Sequence, residues 1–180
     1  HLSIRRQRQM CIRDRPVLYV CNVDEASAVN GNGYVSDVRE YLAGRGSVPL
    51  VIAGALEAEI ANLSEAADRL EFLRDAGLDE PGVNKLVRAA YEMLDLLTFF
   101  TVGPKEIRAW TITSGMTAPQ AAGVIHSDLE RGFIRAEVMK YADFIALGSE
   151  HACREAGKLS VEGKNYVVDD GDILHIRFNV

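Results

Sequence analysis

Two polar steps, each set at the end of an apolar run, are the residues best placed to do chemistry in this sequence. The first is Asn22-Val23-Asp24-Glu25, directly after the apolar residues 17–21. The second is Gly54-Ala55, directly after residues 48–53. In an open α/β sheet, ligands sit beyond the carboxyl ends of the strands. A carboxamide and a carboxylate placed there could read the polar edge of a nucleobase. The competing reading gives Asn22 and Asp24 only the tasks of turning the chain and capping the next element.

The elements that must position these steps read as α/β. Uninterrupted apolar runs at 17–21 and 48–53 predict strands buried on both faces of a parallel sheet. Between them lies a loop with Asn30, Gly31, Asn32 and Gly33. The spacing of Val35, Val38, Tyr41 and Leu42 then predicts a helix over 34–43, ended by Gly44 and Gly46. Strand, helix, strand makes a right-handed βαβ unit, which brings Asn22 and Gly54 to one sheet edge and one crevice. Further helices come after it. One covers 55–63 with Leu56, Ile60 and Leu63 on a face, and the next is expected to start from Ser64 as N-cap and stop at Gly77. A third begins at Pro81, with Val83, Leu86, Val87, Ala90, Tyr91 and Leu94 as a stripe that reads as core.

Past Leu97 the long runs give way to short alternating segments, which sets a domain boundary and a second domain over 98–180. Residues 106–113 read as a strand holding Trp110. Thr117 and Gln120 have capping-box spacing, opening a helix with Ala118, Ala121, Ala122, Ile125 and Leu129 on one face and Gly132 as its stop. A strand over 133–138 and a short helix over 141–147 come next. Asp169, Asp170 and Gly171 make a turn into a final strand, in which Leu174, Ile176, Phe178 and Val180 alternate with His175, Arg177 and Asn179. This pattern predicts a half-buried strand with His175 on its outer face, in a β-grasp-like α+β domain.

Composition narrows the functional classes. The chain has 180 residues, of which 48% are apolar and 26% charged, ordinary values for a globular protein. No apolar run approaches a membrane span and no signal sequence is apparent, so no membrane partner is expected. Cys11, Cys21 and Cys153 are odd in number and far apart, which fits a reduced, cytoplasmic setting rather than a disulfide framework or a zinc cluster. Residues 1–15 hold five arginines and one acid; the other 165 residues carry fifteen basic and twenty-five acidic side chains, a net −10. This tail reads as non-native or disordered, and the acidic body makes DNA an unexpected partner. The remaining reactive residues lack partners at metal or catalytic spacing. His126 sits on the polar side of its helix, His151 and Cys153 belong to no zinc set, and Asp128, Glu130 and Arg131 form a charged face. Cys21 reads as a small buried hydrophobe. No catalytic residue and no metal ligand is assigned.

Residues 115–137, GMTAPQAAGVIHSDLERGFIRAE, together with EIRAWTI, the closing GKNYVVDDGDILHIRFNV, and CNVDE with Gly54-Ala55-Leu56, resemble the YchF family of Obg-related ATPases. The resemblance runs from Pro16 to Val180. It implies the C-terminal part of a parallel-sheet P-loop NTPase domain of the G type over 16–97, followed by a β-grasp TGS domain over 98–180. It also implies a truncated copy, because no GxxxxGK[ST] phosphate loop occurs in the 180 residues. Without that loop, ATP hydrolysis and its Mg2+ ligands belong to the whole family member, and this piece alone is expected to be inactive. GTPases of this class read guanine with the aspartate of NKxD. Here the corresponding residues Asn22, Val23, Asp24 and Glu25 form NxxE, in which Glu25 is one methylene longer and Val23 offers an apolar contact to the base. The resemblance therefore implies ATP as ligand, held by Asn22, Val23, Glu25, Gly54 and Ala55. It further implies a ribosomal partner, the large subunit or its RNA. The alternative is a non-enzymatic RNA- or ribosome-binding TGS module, with Lys105, Arg108, Arg131 and Arg135 at phosphates and Trp110 as a stacking surface.

Overall fold

The computed structural model describes residues 16–103 and 106–179. The expected tail at 1–15, Lys105 and the strand-terminal Val180 lie outside the described residues. Contacts divide the chain into two units, with the division between Met93 and Leu94. That is a few residues before the textural change at Leu97, because the first strand of the second unit already begins at Leu96.

The first unit runs β1 (Val20–Asn22), a 3-10 turn (Glu25–Ser27), α1 (Gly33–Leu42), β2 (Leu50–Ile52), α2 (Gly54–Ala61), α3 (Ala66–Asp75) and α4 (Gly82–Met93). β1 and β2 are parallel, with Val20 opposite Leu50 and Asn22 opposite Ile52. Asn32 caps α1 through its Oδ1, which accepts the Val35 N–H at 3.2 Å. The core gathers Ala28, Ala53, Ile60, Leu73 and Leu78.

Several expectations for this unit are corrected. β1 is not buried on both faces: Val17 and Val20 are 56% and 46% exposed. A parallel strand is enclosed only where strands flank both its edges and helices cover both faces, and the described sheet has two strands. The expected stripes are covered only in part. On α1 Val35 and Leu42 are buried while Tyr41 is exposed, and on α3 Leu73 is buried while Leu70 and Phe72 are exposed. On α4 Val83 and Val87, and just past it Leu94, are exposed while Leu86, Ala90 and Tyr91 are half-buried. Ser64 does not cap α3, whose N-cap is Glu65 without a side-chain bond. The start of α4 is held from elsewhere, by the Glu57 carboxylate of α2 accepting the Gly82 N–H.

The second unit runs β3 (Leu96–Val102), β4 (Ile107–Thr113), α5 (Ala118–Ile125), α6 (Ser127–Arg131), β5 (Phe133–Lys140), α7 (Tyr141–Leu147), α8 (Glu150–Glu155), β6 (Leu159–Glu162) and β7 (Asp172–Phe178). The strand order is β4-β3-β7-β5-β6, with β3 and β7 parallel and the other pairs antiparallel. This is the β-grasp arrangement. Ala118, Ala121 and Ala122 let α5 approach the sheet closely, over Phe99, Ile112, Phe133, Ala136, Val138, Val168 and Leu174. Another cluster joins Met139, Cys153 and Ile173 with Phe144 and Leu159.

Here too the structure departs from the pattern. The helix expected through Leu129 breaks at His126, whose extended backbone (φ −163°) ends α5, while its Nδ1 accepts the Asp128 N–H to start α6. The box at Thr117 makes its return contact, with the Thr117 N–H donating to Gln120 Oε1 at 2.8 Å. β7 is not simply half-buried. Asp172, Ile173 and Leu174 are all buried, because a central strand of this sheet is covered on both faces where it begins. His175 is accordingly only partly exposed, and its Nδ1 is buried without a hydrogen-bond partner among the described residues.

Candidate functional site

Asn22 ends β1 and Gly54 opens α2 just beyond β2. The parallel pairing puts both at the same edge of the sheet, where the Gly54 N–H donates to Asn22 Oδ1 at 3.0 Å. Ala53, the N-cap of α2, makes no side-chain cap, so Asn22 satisfies a helix-terminal donor from 32 residues away. Gly54 permits this approach: a Cβ there would lie 3.1 Å from Asn22 Oδ1. With its oxygen engaged, the Asn22 amide presents two N–H donors, which suit an acceptor such as a purine ring nitrogen.

The neighbours divide their tasks. Asp24 is the N-cap of the 3-10 turn, its Oδ1 accepting the Ser27 N–H at 3.0 Å, so the capping reading describes Asp24. Glu25 is exposed in the first turn, and its carboxylate has no hydrogen-bond or ion-pair partner among the described residues. Val23 is half-buried and continues the pairing through its N–H to the Ile52 carbonyl at 2.9 Å. Ala55 is exposed in the first turn of α2. One amide is therefore fixed at the crevice, with an unengaged carboxylate three residues on.

The second unit holds two polar clusters that sequence reasoning missed. Asp172 is fully buried, and three donors converge on it: Lys140 Nζ at 2.7 Å, the Tyr166 hydroxyl at 2.7 Å and the Asp169 N–H at 2.9 Å. Burial and the bond to Asp172 push the Tyr166 hydroxyl up to about 12. Burial works to lower Lys140, but its hydrogen bonds to Asp169, Asp172 and Tyr166 win and leave it raised. The network pins the 169–172 turn, where Asp170 Oδ1 accepts the Thr98 N–H and the Gly171 N–H donates to the Thr98 carbonyl. The DDGD spacing marks the turn but not the buried member, since burial of Asp172 needs the lysine on β5.

The other cluster is on β5 and β7. Glu137, 6% exposed, accepts from Arg177 (3.3 Å to each oxygen) and from Arg154 at 3.3 Å. The hydrogen bond from Arg177 holds its carboxyl below the usual range against the opposing effect of burial. Glu137, Glu150 and His175 bring ligand atoms within 4.8 Å of one another. Two guanidinium groups already neutralise Glu137, so a dication would add charge where charge is matched. Of the residues expected at RNA phosphates, Arg131 is paired with Asp128, Arg135 is exposed and Arg108 stands over Trp110.

Comparison with known proteins identifies the chain. A family model described as YchF-GTPase_C, protein of unknown function (DUF933), matches residues 96–179. The ribosome-binding ATPase YchF of Haemophilus influenzae is 51% identical over 166 residues, covering 92% of this chain and 45% of that protein. The chain belongs to the YchF family of Obg-like ATPases. The YchF relative of Bacillus subtilis is 48% identical over 94% of the chain, and the Obg-like ATPase 1 of Rattus norvegicus 41% identical over 96%. The chain spans about 45% of the length of these YchF and Obg-like relatives. A solved structure, the Schizosaccharomyces pombe YchF GTPase, superposes with a TM-score of 0.80 at 34% identity, over 91% of this chain and 43% of that one. A GTP-binding protein of Pyrococcus horikoshii shares the fold at 17% identity and a TM-score of 0.64.

Proposed function

We propose that this YchF-family chain carries the base-recognition half of an ATP site and a TGS domain that serves a ribosomal partner. The observation that carries the reading is the bond between Gly54 and Asn22. It fixes an amide at the carboxyl edge of the parallel pair and leaves its two N–H donors without a hydrogen-bond partner among the described residues. In the reading, those donors meet a purine ring nitrogen, Val23 lies against the base, Ala55 closes the other side and Glu25 accepts from the adenine amino group. An aspartate at the guanine-reading distance would face the adenine N1 lone pair, and the longer Glu25 carboxylate does not occupy that place.

The names of the relatives support the partner and the activity, since they are called ribosome-binding ATPases. The 180 residues contain no GxxxxGK[ST]. Hydrolysis and Mg2+ ligation are therefore assigned to the longer family member, in a cytoplasmic setting, and this chain is assigned binding without turnover. Docking on the large ribosomal subunit is assigned to the second unit.

Calorimetric titration of the chain with ATP and GTP tests the base assignment, because a ratio of affinities survives the loss of phosphate contacts. ATP should bind roughly tenfold or more tightly than GTP, and Asn22→Ala should abolish the preference. Equal affinity for the two nucleotides overturns the assignment of Glu25.

A further inference from the structure

Glu57 follows Gly54 in the first turn of α2 and is half-buried. Its carboxylate accepts the N–H of Gly82, the first residue of α4. The first amides of a helix lack partners inside it, and a carboxylate suits the positive end of the helix dipole. Two acids, Asp79 and Glu80, precede α4 in sequence, yet the carboxylate at its first amide comes from 25 residues upstream. Among the described residues Glu57 has no ion-pair partner, and Arg88 of α4 is paired with Glu80.

Gly82 is buried and admits no side chain. A Cβ there would lie 2.6 Å from Glu57 Oε1 and 3.0 Å from Ile52 Cγ2. Ile52 is the residue opposite Asn22 in the ladder, and its carbonyl accepts the Val23 N–H. A ring of contacts therefore closes on the site. Asn22 pairs with Ile52, Ile52 packs on Gly82, Gly82 donates to Glu57, and one turn of α2 leads back to Gly54 and its bond to Asn22. Since α2 has no side-chain cap at Ala53, its first turn is held from outside, by Asn22 on one side and Gly82 on the other.

We propose that Glu57 is a positioning residue of the nucleobase site: it holds the first turn of α2 so that the Gly54 N–H stays on Asn22 Oδ1. The proposal rests on the ATP reading above and adds a residue that touches no ligand in it. An asparagine free to flip offers either an acceptor or two donors to a base edge, whereas one whose oxygen is engaged offers donors only. Loss of Glu57 therefore blurs the choice of base before it removes binding.

Exchange of the Gly54 amide proton, followed by NMR in the full chain, reports the bond to Asn22 without any nucleotide. Glu57→Ala should speed it roughly tenfold relative to the Val23 amide, whose bond to the Ile52 carbonyl serves as the internal reference. Glu57→Asp keeps the charge but is one methylene short; it should behave alike and carries the test if the alanine chain does not fold. Glu57→Gln retains an acceptor oxygen and should stay within about twofold of the unmodified chain. In titrations with ATP and GTP, Glu57→Asp should lower the ratio of affinities roughly threefold or more, with the Gln chain restoring it. The proposal is overturned by unchanged Gly54 exchange in the Ala and Asp chains, or by an equal rise at Gly54 and Val23, which marks general loosening. It is also overturned by an unaltered nucleotide ratio where Gly54 exchange has risen. Equal binding of ATP and GTP by the unmodified chain overturns the base assignment, while Gly54 exchange still decides the link through Glu57.

Discussion

In the second unit, α5 packs three buried alanines onto the inner face of a five-stranded sheet, while Met139, Cys153 and Ile173 form another cluster. Among the described residues of the first unit, four α-helices accompany two short strands, and Val20, Phe72, Val83 and Val87 remain about half exposed. Both units carry apolar stripes in sequence, as long runs in the first and short alternating segments in the second. They differ in how many neighbours each apolar face finds, and burial rather than patterning supplies stabilisation. The second unit therefore has the larger buried core, while the first has its specific feature at the sheet edge.

Substitutions can break that contrast. The largest effect is expected from Phe99→Ala, which empties a fully buried position in the second unit and should cost about 3–5 kcal/mol in denaturant unfolding followed by Trp110 fluorescence. Lys140→Met should cost about 3 kcal/mol by leaving the Asp172 carboxylate buried without its cation. A loss under ~1 kcal/mol would mean that Tyr166 and the Asp169 amide suffice.

The same clusters set pH limits. Tyr166 is raised above its ordinary 10.0, so the folded state holds its proton more tightly. Its contribution is complete below pH 10 and is lost as pH climbs toward about 12. Tyr166→Phe should flatten that alkaline limb. Glu137 is lowered, so its contribution is complete above its ordinary 4.5 and disappears as pH falls below it. Glu137→Gln should remove that part of the acid limb.

In the first unit smaller effects are expected. Gly54→Ala, which crowds Asn22 Oδ1, should cost about 1 kcal/mol, read by hydrogen exchange at residues 20–54. Val87→Ser, at an exposed position, should stay within about 0.5 kcal/mol. A cost above ~2 kcal/mol there would show that something covers this face, and the contrast between the units would fail.

Local chemistry made much of the second unit legible. The Thr117–Gln120 contact, the short helix at 141–147 and the strand after Asp169-Asp170-Gly171 all depend on neighbours a few residues apart. The break at His126 was hidden, because Ala118 to Leu129 keep helical spacing across it while the backbone turns. At the first unit's edge, Asn22 and Gly54 were visible as polar steps after apolar runs. The division of labour between Asp24 and Glu25 was not, since which carboxylate caps depends on the 3-10 turn.

From sequence alone came the α/β order, the family resemblance and, in the second unit, β4, β5, β7, α7 and the start of α5, all properties of spacing along the chain. β3, α8 and β6 were not read from it. Tertiary structure alone decided which apolar stripes are covered, that Asp172 is buried against Lys140, and that β3 and β7 separate beside Trp110. Those outcomes depend on contacts between residues tens of positions apart. No local pattern encodes how many neighbours a face will find.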